Sequence, residues 1–293
     1  MVVLKKIIDF YINSSLHVAF SAFALVSMTH YFFNIDGGLS IVFFAFFGTV
    51  VGYNFVKYDA LARLNKNQIK KELKGIVLLS FLSSIACFYF FLQLCWVTQI
   101  SAFVFLGLTL LYTLPFFPNK QNARNWKGVK IYIVGITWVG VTVILPLVEA
   151  EIPFSMDVLL MAMQRFLLVF SIVLVFDIVD VKHDDLHLQT VPQKIGVKLT
   201  KKLGYLLLFL LLILEFFYTN NHHLLPFFFK LLVCGTIAIF LFFAHENRSR
   251  YYASFWLESV PILWWLLLIL TGFKNLSGLL IYPLITIRCS TCA

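Results

Sequence analysis

Apolar residues recur along this chain in long unbroken runs, with neither the two-residue alternation of a strand nor a single apolar stripe. The runs fall at about 15–33, 39–56, 76–96, 99–117, 130–148, 157–178, 203–218, 226–244 and 254–273, each closed by Gly, Pro, Asn or charge. An α-helix crosses a bilayer with roughly 20 apolar residues, so the pattern predicts nine spanning helices. The seventh run is short and extends toward Lys201, and the stretch 276–287 reads as a tenth, interfacial piece. The N-terminal MVVLKKIIDF leads into a full-length span without a small-residue cleavage pattern and reads as retained.

The basic residues add an orientation. Lys5 and Lys6 precede the first run, and Lys57, Arg63, Lys66, Lys70, Lys71 and Lys74 follow the second. Lys120, Arg124, Lys127 and Lys130 follow the fourth, Lys182, Lys194, Lys198, Lys201 and Lys202 the sixth, and Arg248 and Arg250 the eighth. These loops hold nineteen of the 23 basic residues, whereas the alternate loops contain no Lys or Arg. Lys and Arg near span ends stay on the cytoplasmic side, which predicts a cytoplasmic N-terminus and an external C-terminus. Composition agrees: 61% apolar residues, 13% charged and a mean hydropathy of +0.90 leave too little polar surface for a soluble globule. The whole chain, 1–293, reads as a single polytopic membrane domain. The five cysteines are scattered and read as apolar filler, and the terminal Cys289-x-x-Cys292 has no framing helix or strand to support a redox role.

The most informative polar segment is VFDIVDVKHDDLHLQTVPQKIG, Val175 to Gly196, where the sixth run meets the cytoplasmic face. On a continuing helix Asp177, Asp180 and Asp184 fall within roughly 60° of one another, and Asp185 projects to one side. Like charges on one stripe repel, and a helix C-terminus disfavours anions, so the arrangement calls for a cation. A solvated helix end neutralised by Lys182 and Lys194 is the plain alternative. Mg²⁺ is the sharper one, because it takes carboxylate oxygens and completes its shell with water and phosphate.

The pattern Asp177-x-x-Asp180-x-x-x-Asp184, followed by Thr190-Val191-Pro192-x-x-x-Gly196, resembles the second aspartate-rich motif of the UbiA superfamily of intramembrane prenyltransferases. Leu111-Tyr112-Thr113-Leu114-Pro115, ahead of a basic loop, is similar to that family's Tyr-x-x-Pro stretch. The family's first motif, Asn-Asp-x-x-Asp-x-x-x-Asp at the end of the second helix, is degenerate here. Asn54 matches, Phe55, Tyr58 and Ala62 stand in place of the three acids, and Asp59 is one position out of register.

The resemblance implies an all-α membrane protein, a nine-transmembrane-helix bundle of the UbiA prenyltransferase type. It implies Mg²⁺-dependent transfer of a prenyl group from an allylic prenyl diphosphate to an aromatic or other lipophilic acceptor, within the lipid of a bacterial cytoplasmic membrane and with no nucleic-acid partner. Asp177, Asp180 and Asp184 become the catalytic and metal-binding residues, with Asp59 a further candidate ligand. Asn54, Lys57, Arg63, Lys120, Arg124 and Lys182 become the diphosphate-binding set, Lys57 and Arg63 standing in for the metal of the degenerate motif. A UbiA-fold member with altered chemistry that binds isoprenoid or other lipid is the second reading. An unrelated transporter is the third. Asp59-Ala60-Leu61-Ala62-Arg63 is only faintly similar to a CDP-alcohol phosphotransferase motif, since its glycine is absent.

Other residues speak less clearly. Arg165, mid-span, reads either as a cavity residue or as a structural hydrogen-bond donor. His183 and His187 have transition-metal spacing but no further ligand, and Glu149, Glu151, Asp157, His222 and His223 read as solvated loop.

Overall fold

The computed structural model describes residues 2–64, 71–114, 128–184, 188–218 and 224–271, and within them every regular element is helical. The helices are α1 (Val2–Asn13), α2 (Leu16–Phe32), α3 (Leu39–Leu64), α4 (Lys71–Phe91), α5 (Trp96–Thr113) and α6 (Lys130–Val139). After a π-helical turn at Gly140–Ile144 come α7 (Leu145–Glu149), α8 (Met156–Asp180), α9 (Val191–Leu214) and α10 (Leu224–Phe243). A second π-helical turn at Tyr252–Leu257 leads into α11 (Val260–Leu270). Each predicted run meets a helix, except 276–287, which lies outside the described residues along with Cys289 and Cys292.

Seven stretches among the described residues are long and apolar enough to cross a bilayer, or eight if α1 and α2 form one bent span. The expected nine is not reached on this count. The helix that accounts for the difference is α9, whose first half carries Lys194, Lys198, Lys201 and Lys202 and leaves an apolar part too short to span by itself.

Two elements differ from expectation. Residues 2–13, expected to lead straight into the first span, form a separate helix that meets α2 at 58°. The corner is made by Ser15 in the left-handed region (φ 62°), a conformation that ends one helix before the next starts. The helix α3 also runs past the predicted end at 56 to Leu64, because Ala60-Leu61-Ala62-Arg63-Leu64 are strong helix formers.

Inside and outside follow the rule of a lipid environment. The most buried element is α2, whose His17, Ser21, Ser27, Thr29 and His30 are enclosed with its alanines and leucines. It packs against α3 and α11 and serves two cores. Leu25 and Met28 join α8, α9, α10 and α11, and Val26 joins Ile41, Val42, Ala102 and Leu145. Phe81, Phe88, Phe103, Phe209 and Phe242 face outward, where acyl chains cover them. Close helix approach depends on small residues: at Gly140 a Cβ would collide with the Phe105 ring of α5. The α6–α7 span is therefore held tightly to α5, and Thr29 of α2 donates to the Thr142 carbonyl inside the π-helical turn at 2.6 Å.

Candidate functional site

Asp177 lies in the last turn of α8 and is only 2% exposed. The helical turn continues beyond Asp180, since the amides of His183 and Asp184 both donate to the Asp180 carbonyl at 2.8 Å. That keeps Asp184 above Asp177, while Asp180 is exposed. Between the two inward acids sits an ammonium: Lys130 Nζ is 2.9 Å from Asp177 Oδ1 and 3.8 Å from Asp184 Oδ2. Lys130 opens α6, which packs against α8. A cation at a helix N-terminus and an anion at a helix C-terminus are each disfavoured by the local dipole, and their pairing offsets both. Sequence reasoning counted Lys130 only among the topology-setting charges. Its position as the first helical residue was the available signal.

The following residues fold back onto this turn. Thr190 and Gln193 form a capping box at the start of α9, with the Thr190 amide donating to Gln193 Oε1 at 3.0 Å. The Gln193 amide then donates to the Asp184 carbonyl at 3.2 Å, tying the cap to the acidic turn. Pro192 suits the first helical turn, and Gly196 interrupts α9 with φ 79°, ψ 156°, a conformation closed to side-chain-bearing residues. The Thr190–Gly196 pattern is thus a short cap that turns sharply before the longer helix.

On α3 the matching residues divide. Asn54 is buried, accepting from Ser15 Oγ at 2.8 Å and donating to the Ser14 carbonyl at 3.0 Å and Ser80 Oγ at 2.9 Å. Both amide hydrogens are used, so none is left for a diphosphate, and its observed role is to pin the α1–α2 corner. Lys57 is exposed, donates to the Asn13 carbonyl at 3.3 Å, and lies within electrostatic reach of Glu258. Tyr53, one turn before Lys57, accepts from Trp138 Nε1 at 2.8 Å and also lies within reach of Glu258. Tyr112 links the two sides, being within electrostatic reach of both Tyr53 and Lys130. The ends of α3, α5, α6 and α8 therefore converge, and the π-helical turn before α11 adds Glu258, an in-span acid that sequence reasoning missed inside an apolar run.

The remaining candidates lie elsewhere. Lys182 pairs with Glu246 at 2.9 Å and donates to Asn247 Oδ1 at 2.9 Å on the exposed surface, turned toward the loop before α11. The side chains of Asp59 and Arg63, and all of Lys120 and Arg124, lie outside what is described, as does His187. Glu149 is no solvated loop residue: its carboxylate accepts from the Cys95 amide at 3.1 Å and caps α5. Cys87 and Cys234 are free thiols in apolar surroundings.

Among the described residues no three Asp, Glu, His or Cys side chains converge as a metal site. Mg²⁺ in a phosphate site needs only one or two carboxylates, with water and phosphate oxygens supplying the rest. Asp184 Oδ2 is buried without a hydrogen-bond partner, and Asp180 is exposed at the end of α8. Those two carboxylates fit such an ion. Asp177 Oδ1 is taken by Lys130 Nζ at 2.9 Å.

No family model and no curated protein matches the sequence. Comparison of the fold gives a solved structure of digeranylgeranylglyceryl phosphate synthase, a UbiA-type prenyltransferase described in membranes, with a TM-score of 0.52 and 15% identity. The match covers 90% of this chain and 95% of that one. The chain has the helical membrane fold of the UbiA-type prenyltransferases.

Proposed function

We propose that this chain, built on the UbiA-type fold, transfers a prenyl group from an allylic prenyl diphosphate to an aromatic or other lipophilic acceptor inside the membrane. The observation that carries the reading is Lys130 held between Asp177 and Asp184, with Tyr112 within electrostatic reach of both Lys130 and Tyr53. Charge for a leaving diphosphate and aromatic faces for a carbon cation lie at the same end of the bundle.

In this reading the diphosphate lies at the basic end of the bundle, which faces the bacterial cytoplasm as the loop charges predict. Mg²⁺ held by Asp180 and Asp184 would supply Lewis-acid stabilisation of the leaving group's charge. Lys130 pairs with the buried Asp177 and places a fixed positive charge beside the departing oxygen, a preorganised electrostatic contribution. Lys57 adds a second cation from α3. The faces of Tyr53 and Trp138 exclude water and favour the allylic cation. An apolar cavity of about 420 Å³ lined by Ile136, Val139, Met163, Phe166, Leu210 and Ile213 lies farther along α6, α8 and α9 and suits a prenyl tail.

The test is diphosphate release from labelled allylic prenyl diphosphates by the purified protein, with Mg²⁺ or chelator and a panel of lipophilic acceptors. The expected result is metal-dependent release that falls at least about a hundredfold in Asp184→Asn, the scale of losing a preorganised charge contact. Binding without release under every condition would replace the enzyme with a UbiA-fold lipid-binding protein.

A further inference from the structure

The opposite ends of α8 and α9 hold a second polar cluster, which the proposed transfer does not use. Arg165 lies twelve residues before Asp177, roughly 18 Å along α8. It is 3% exposed, and its contacts are neutral: Nη2 is 3.5 Å from Thr29 Oγ1 and 3.9 Å from Met161 Sδ, while Nη1 has no hydrogen-bond partner. Across from it Lys230 of α10 is equally buried and within electrostatic reach, so two cations face each other. Lys230 is already neutralised by an ion pair with Glu215, which also accepts from Gln164 Nε2 at 2.9 Å. Among the described residues the group that offsets Arg165 electrostatically is Tyr218, a phenol, and no carboxylate does so. A third donor, Trp264 Nε1 of α11, is also buried without an acceptor.

Arg165, Lys230 and Trp264 line one cavity of about 20 Å³, with Phe32, Met161 and Leu168 among its apolar walls. Two unsatisfied donors, one of them on a guanidinium without a paired carboxylate, thus belong to residues that line the same small space. We propose that this cavity binds a monovalent inorganic anion of halide size. A buried guanidinium without a counter-charge is strongly unfavourable. Water in the cavity would satisfy the donors but leave the charge, whereas a halide satisfies both. Size sets the class: one water needs roughly 10–15 Å³ on this measure, so the space admits a single halide and excludes sulfate, phosphate or a lipid headgroup. The site ties α8, α10 and α11 together at the end remote from the aspartates, and its occupancy stabilises the bundle without entering the transfer chemistry.

The experiment uses the full-length chain purified in detergent and exchanged into gluconate. Thermal unfolding is followed while chloride, bromide or sulfate is titrated at constant ionic strength. Chloride and bromide raise the unfolding temperature along a saturable curve, sulfate leaves it unchanged, and Arg165→Gln abolishes the halide effect. Where Arg165→Gln does not fold, Trp264→Phe keeps the charge and removes one donor to the ion, so half-saturation moves up by about tenfold. Equal stabilisation by sulfate, no halide effect in the native chain, or a half-saturation unmoved by Trp264→Phe would each overturn the proposal.

Discussion

Lys130 decides how the acidic cluster is held. Replacing it by Met leaves Asp177 buried beside an empty position, and breaking one side of a buried pair costs about 3 kcal/mol. Lys130→Met is therefore expected to lower stability by that order and to abolish turnover, while Lys130→Arg retains most of both. The double variant Lys130→Met, Asp177→Asn removes the stranded charge and recovers at least half of the lost stability. Equal losses in the single and double variants, measured by unfolding in mixed micelles, would show that the pair is not coupled. The acids themselves were legible in the sequence, because three carboxylates at the end of an apolar run are conspicuous. Their partner was not, because a lysine ahead of a span has the appearance of an orientation signal. Glu258 and Lys230 were hidden for a related reason: a single charge inside an apolar run barely changes its hydropathy, and only tertiary packing shows what it faces.

At the scale of elements, the first aspartate-rich motif shows how a matched residue can serve architecture. The place of Asn54 in the pattern implies a diphosphate ligand, yet its amide binds Ser14, Ser15 and Ser80 and fixes where α1 bends into α2. Asn54→Ala removes three hydrogen bonds in a buried corner and leaves Ser14 and Ser15 groups unsatisfied, at a cost of about 2 kcal/mol. The expected outcome is a lower unfolding temperature with little change in KM for the prenyl diphosphate. A raised KM at unchanged stability would restore the ligand role. The bend itself could not be read from the apolar pattern, since the turn uses Ser15 with a positive φ and neither Gly nor Pro marks it. Helix existence was legible nearly throughout, because long apolar runs have no other satisfactory conformation in lipid. Helix ends were less so: α3 runs on through good helix formers, and α9 begins in a lysine-rich segment that resembles a loop.

Across the whole molecule the two polar clusters sit at opposite ends of α8 and α9 and differ in kind. The Asp177 cluster is closed by Lys130 at the start of α6, whereas the Arg165 cluster is lined by residues of α2, α10 and α11. Only the first adjoins the lysine-rich connections, so charge asymmetry and chemical asymmetry fall on the same axis. That coincidence gives an orientation that can be tested without any substrate. Introduced singly, Asp36→Cys in the loop before α3 and Glu246→Cys in the loop before the second π-helical turn lie at opposite ends of the bundle. In intact cells a membrane-impermeant thiol reagent is expected to label Asp36→Cys at once and Glu246→Cys only after permeabilisation, with all five native cysteines, Cys87, Cys95, Cys234, Cys289 and Cys292, replaced by Ala to remove background. The reverse pattern would put the acidic cluster on the external face. A prenyl diphosphate made in the cytoplasm would then have no direct route to Asp184, and the transfer chemistry proposed for that end would fail on access alone.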